Sequence, residues 1–88
     1  MQNPRAVLRM VIKRFPEHRS SLERLCEAST SFQSLCDDYD DCISALRYWQ
    51  QSVSEEARYY RGEYTELLRE LEEEISYYLE NLEQAIGA

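Results

Sequence analysis

Glycine and proline are scarce, two of each in 88 residues. An all-β chain needs such residues at its many turns, so their scarcity argues against strands and for long helices. A single histidine, His18, leaves no second imidazole for a metal or a proton relay, and its neighbours Glu17 and Arg19 point around a helix rather than along one face. No apolar run approaches the roughly 18 to 20 residues that span a bilayer, and no segment joins a basic start, an apolar stretch and a small-residue cleavage site, so a cytoplasmic protein is expected. A glycine-rich phosphate loop, a paired-cysteine zinc pattern and a serine elbow are missing as well. Without such a constellation we expect neither an enzyme nor a cofactor.

Basic residues are the minority, 10 Lys and Arg against 17 Asp and Glu, for a net charge of −7. Their placement is uneven. Residues 1–19 carry Arg5, Arg9, Lys13, Arg14 and Arg19 against Glu17, a net +4, and the remainder carries −11. So many carboxylates repel phosphates, which disfavours direct nucleic-acid binding by the body of the chain. At 43% apolar and 31% charged, the chain is too apolar for disorder. One small helical domain over residues 1–88 is expected, burying roughly 60–65% of its unfolded surface and leaving little room for a deep cleft. Three cysteines cannot all pair within one chain, and small buried thiols are the simpler expectation.

Asn3 followed by Pro4 signals a helix start, with Val7, Leu8, Val11, Ile12 and Phe15 on one side and Arg5, Arg9 and Lys13 on another. This basic amphipathic helix spans residues 1–14. Pro16 disfavours helical geometry at Phe15 and opens a second short helix, 16–29, carrying Leu22 and Leu25. Ser29, Thr30 and Ser31 interrupt it, and Thr30 with Gln33 has the form of a capping box.

From Phe32 the apolar residues follow a heptad: Phe32, Leu35, Tyr39, Cys42, Leu46, Trp49 and Val53 recur at alternating steps of three and four. A second seam runs through Ala57, Arg61, Tyr64, Leu68, Leu71, Ile75, Tyr78, Leu82 and Ala85. Extending the first seam past Val53 would place Glu56 and Glu63 inside, whereas the apolar positions lie one residue later. A turn near Ser52–Glu56, with Ser52 and Glu55 as a further capping box, accounts for the slip. The expected fold is therefore all-α, an antiparallel coiled-coil-like helical hairpin of 31–52 and 55–86 with additional short N-terminal helices. Symmetry about the turn sets Leu46 near Tyr64, Tyr39 near Leu71 and Phe32 near Tyr78. The rival is one continuous helix through 52–62.

The stretch CDDYDDC, residues 36–42, invites a metal. On the seam Tyr39 occupies position a and Cys42 position d, Cys36 flanks the core at e, and Asp37, Asp38, Asp40 and Asp41 fall on the wet face. Cys36 and Cys42 are separated by about 9 Å of rise and about 240° of rotation, too far to share an ion or a disulfide. Asp37 and Asp41 share a face but lack the further ligands and the glycine of a calcium loop, so no metal site is expected.

With the seams placed, the middle of the chain resembles the YdcH-like family of short bacterial helical proteins. FPEHRSSLERL at 15–25 is similar to that family's F-P-E-aromatic-R opening, SFQSLCDDYDDCISAL at 31–46 to its next element, and LEEEI at 71–75 to an L-K-D-E-I stretch. The likeness covers about residues 15–80 and implies a helical hairpin without recorded enzymatic activity. Cys42, Ala45 and Glu72 depart from the family's leucine, acid and lysine, the middle connection is shorter, and residues 1–14 are this chain's own addition.

Leu67, Leu79, Ile43 and Ile86 widen the apolar stripes beyond what two helices need, which leads to a protein-interaction or assembly module, with a homodimer favoured and other protein partners unidentified. The basic set Arg5, Arg9, Lys13 and Arg14 and the acidic set Asp37, Asp38, Asp40 and Asp41 are the candidate interaction residues. An acidic nucleic-acid mimic that occupies a basic site on a DNA- or RNA-binding protein is the alternative. The N-terminal helix should dock on its own acidic hairpin rather than lie on a membrane, because it is short and each basic residue at an anionic surface is worth only about 1 kcal/mol.

Overall fold

The computed structural model describes the backbone of residues 4–87 and the side chains of residues 8–84. Helix α1, Pro4–Arg14, begins on the proline, whose missing N–H is no loss in a first turn. It ends where Pro16 forbids helical geometry to its predecessor: Phe15 adopts φ −125° and ψ 63°. Pro16 then opens a single 3₁₀ turn, Pro16–His18, and not the α-helix expected from residue 16. The α-helix proper, α2, runs Arg19–Ala28.

At Ser29 the backbone is extended, φ −140° and ψ 118°, and the chain folds back into α3, Thr30–Gln51. The cap here differs from the expected Thr30–Gln33 box. Ser29 Oγ accepts from the Phe32 N–H at 3.1 Å, and the Gln33 amide donates instead to the Cys26 carbonyl at the end of α2. Ser29 sits one residue nearer the break, where its own extended backbone aims the hydroxyl at the orphan N–H groups of the first turn.

Helix α4, Ala57–Gly87, returns antiparallel to α3, and the two pack as a hairpin rather than one continuous helix. Its 31 residues, at about 1.5 Å each, account for most of the 51 Å long axis of the molecule. The connection, 52–56, forms no Ser52–Glu55 box. Ser52 ends α3, its N–H bonding the Trp49 carbonyl, and its hydroxyl accepts from the Ser54 N–H at 3.2 Å. Val53 consequently leaves the helix and is fully exposed, so the first seam stops at Trp49.

Two of the three expected pairings across the hairpin are seen. Phe32 and Tyr78 meet edge to face with centroids 5.2 Å apart. The Tyr39 hydroxyl reaches Glu72, the residue after Leu71, and Arg61 donates to the Trp49 carbonyl. Helices α1 and α2 lie against the end of the hairpin remote from its turn. They contribute Leu8, Val11, Leu22, Leu25 and Cys26 to a core shared with Phe32, Leu35, Cys36, Tyr39 and Cys42 of α3 and Leu71, Ile75 and Leu79 of α4. Two flanking assignments change as a result. Cys36, expected at the edge, is wholly buried facing Cys26 of α2, and Leu79 is buried too, because α1 and α2 cover those flanks. Leu67 keeps 40% exposure, since no third helix reaches it.

Candidate functional site

Burial stops halfway along the hairpin. Between Cys42 and Leu71 the one buried side chain is Ala57. Yet this stretch holds five of the chain's ten aromatic residues, Tyr48, Trp49, Tyr59, Tyr60 and Tyr64. Four of them form a run of rings across the hairpin near its turn. Tyr48 meets Trp49 edge-on at 4.9 Å, Trp49 stacks on Tyr60 at 4.4 Å, and Tyr60 meets Tyr59 edge-on at 5.3 Å. Stacking orders the rings without covering them: Tyr48 and Tyr59 remain about two-thirds exposed.

Below these rings a groove lies in the valley between α3 and α4, lined by Cys42, Ala45, Tyr64, Leu67 and Leu71. A second hollow on α4 alone, lined by Tyr59, Tyr60, Tyr64 and Leu67, adjoins it at Tyr64 and Leu67. Tyr60, Tyr64, Leu67 and Leu71 recur at helical spacing, a stripe that overlaps the inner seam but is turned toward one flank. On α3, Ala45 lies nine residues from Cys36, two and a half turns, so it faces away from the flank that α2 covers. The Cys42 thiol donates to the Tyr64 carbonyl at 3.3 Å and ties the two walls together.

The rim is acidic. Asp38 and Asp41 stand on the α3 side of the groove, and Glu63, Glu66 and Glu70 line the adjoining hollow on α4, with no lysine or arginine lining either. Glu66 is bound by Arg69, which also holds Glu73, and this partner lowers the Glu66 carboxyl below its ordinary value. Among the described residues the other four carboxylates form no ion pair. Glu63 also raises the Tyr59 hydroxyl, through its charge and a hydrogen bond.

The four aspartates expected on a uniformly wet face divide between two flanks. Asp38 and Asp41 are exposed on the groove, whereas Asp37 and Asp40 are half-buried, because the helices packed beside α3 approach that side. Among the described residues no group of acidic, histidine or cysteine side chains is placed to hold a metal ion. The basic set also separates. Arg9 and Lys13 are exposed on α1, Arg14 donates to Glu72 at 3.1 Å, and the Arg5 side chain lies outside the described residues, as do those of Val7, Ala85 and Ile86. His18 Nδ1 lies 2.8 Å from Glu83. No family model, curated protein or solved structure matches this chain.

Proposed function

We propose that this protein is a non-catalytic interaction and assembly module that pairs with a second copy through the aromatic turn end of its hairpin and offers the uncovered valley below that end to other helices. One observation carries the reading: the most aromatic part of the chain is the part that its own helices leave bare. Exposed Tyr48, Tyr59 and Val53 beside stacked Trp49 and Tyr60 make an apolar surface concentrated at one end, and such patches mark contact sites. Tyrosine and tryptophan suit this role because they cover a large contact area with few rotatable bonds. A nucleic-acid mimic would present carboxylates without apolar anchors, whereas here tyrosine and leucine stand between the carboxylates. Cytoplasmic residence and membership of the YdcH-like family belong to the same proposal, the latter on the Phe15–Pro16–Glu17 opening and the hairpin that follows it.

Sedimentation equilibrium at about 100 µM, where mass action favours even modest self-association, is expected to give a dimer. Tyr59→Ser with Tyr60→Ser should shift it to monomer while leaving the helical circular dichroism intact. A wild-type chain that sediments as a monomer at that concentration would refute self-assembly.

A further inference from the structure

We infer that the acidic-rimmed groove between α3 and α4 is the seat of a basic amphipathic helix from another protein. The inference rests on the interaction-module reading and names the partner's chemistry. The fold already contains one example of the arrangement on its other flank. There α1, a short helix with basic residues, buries Leu8 and Val11 against the hairpin and lays Arg14 on Glu72. The uncovered groove repeats those two elements, an apolar floor of Tyr64, Leu67 and Ala45 and a border of carboxylates. A valley between two packed helices accepts a third by ridge-and-groove fit.

Charge selects the occupant. Asp38, Asp41, Glu63 and Glu70 have no ion-pair partner among the described residues, so lysines or arginines flanking an incoming apolar stripe would complete them. A second copy docked groove to groove would set these four carboxylates against four more, which opposes self-pairing here. Nor can α1 of another copy serve, because its apolar face is committed to its own core through Leu8 and Val11. Nucleic acid is repelled by the same rim. The remaining candidate is a helix with apolar residues at i, i+3, i+4 and i+7 and basic residues on both sides of that stripe.

The probe is a synthetic peptide of roughly five helical turns, leucine on that spacing and lysine elsewhere, with a companion in which every lysine is glutamate. Binding to the full-length protein is read by calorimetry and by the fluorescence of Trp49, which stacks on Tyr60 at the head of the groove. The lysine peptide should bind, more weakly at about 0.5 M salt, and the glutamate peptide should not. Asp38→Asn with Asp41→Asn should weaken binding about five- to tenfold. Glu27→Gln with Glu80→Gln removes the same charge from α2 and from the far side of α4, and should change affinity less than about twofold. Leu67→Ser should weaken binding about tenfold with only a small drop in melting temperature, because Leu67 is already 40% exposed.

Equal losses from the two charge pairs, or a Leu67→Ser variant that binds as tightly as wild type, would reduce the effect to bulk attraction and overturn the inference. Absence of binding by the lysine peptide overturns it as well. If that absence accompanies a dimer that Tyr59→Ser with Tyr60→Ser dissociates, the assembly reading survives and the partner chemistry is wrong. A monomer that binds no peptide removes both.

Discussion

Glu72 shows how one side chain joins three helices. Its Oε2 accepts from the Tyr39 hydroxyl at 2.9 Å and from Arg14 Nε at 3.1 Å, so α1, α3 and α4 meet on one carboxylate oxygen. Tyr39 is 2% exposed, and burial, reinforced by the hydrogen bond to Glu72, pushes its hydroxyl well above the ordinary value. Burial acts in the same direction on the thiols. It raises Cys26 and Cys42 and drives Cys36 from 9.0 up to about 12, with the nearby Cys26 and Asp37 as lesser causes. These groups all keep their protons to higher pH in the folded chain than in the unfolded one. Above pH 9.0 the unfolded thiols lose protons that folded Cys36 retains, so stability must fall as pH rises. Thermal melts should therefore show a melting temperature that declines from about pH 9 toward about pH 12. Cys36→Ala, despite its small cavity, should flatten that decline. A melting temperature constant or rising across the window would show that the thiol is not buried as described.

At the scale of elements, α1 is part of the fold and not a loose basic arm. Leu8 and Val11 are 1% and 0% exposed, and burying side chains of this size contributes about 1.5–3 kcal/mol each. Arg14 adds less, because its side chain is 55% exposed and an ion pair that wet is screened. Apolar contact therefore outweighs charge in holding α1 to the hairpin. Removing residues 1–14 is expected to lower the melting temperature clearly, leave a helical chain, and not alter co-sedimentation with anionic vesicles. Leu8→Ala alone should cost about 2–5 kcal/mol. If the full-length protein pellets with vesicles and the truncated one does not, α1 is a membrane element and its docking gives way on contact. The position of Glu72 gains sense in the same terms: a chain bearing Arg14 on α1 needs an acceptor on α4.

Taken whole, the molecule has a dense end and a bare end. Thirteen core side chains, from Leu8 to Leu79, lie where α1 and α2 meet the hairpin, and the turn half is two helices held by Ala57, the cross-helix bond of Arg61 and the aromatic rings. Local stability follows local burial, so the two ends should open independently. Native-state hydrogen exchange is expected to protect amides in 32–42 and 71–79 most and those in 44–66 least, with the difference shrinking when the turn half is bound. Uniform protection along both long helices would mean that the turn half is covered in solution by something the single chain does not contain. Among the described residues no helix is long and apolar enough to cross a membrane.

The heptad from Phe32 to Trp49, the one-residue slip near Ser52 and the break before Pro16 were all legible in the sequence, because helical period and proline sterics act between residues close in the chain. Asp38 and Asp41 were legible as surface residues for the same reason. The caps were harder: Ser29, Thr30 and Ser31 offer equivalent hydroxyls, and only the backbone path into α3 chooses Ser29. Leu67 was read as widening the apolar stripe, but Tyr59 and Tyr60 were missed, although Tyr60, Tyr64, Leu67 and Leu71 form a stripe beside the inner seam that signals a surface wider than one partner helix requires. Cys36, Leu79 and Leu67 read alike as flanking positions. Tertiary structure alone separated them, since whether a flank is core or surface depends on where α1 and α2 come to rest, a contact made between residues far apart in the sequence that no local periodicity encodes.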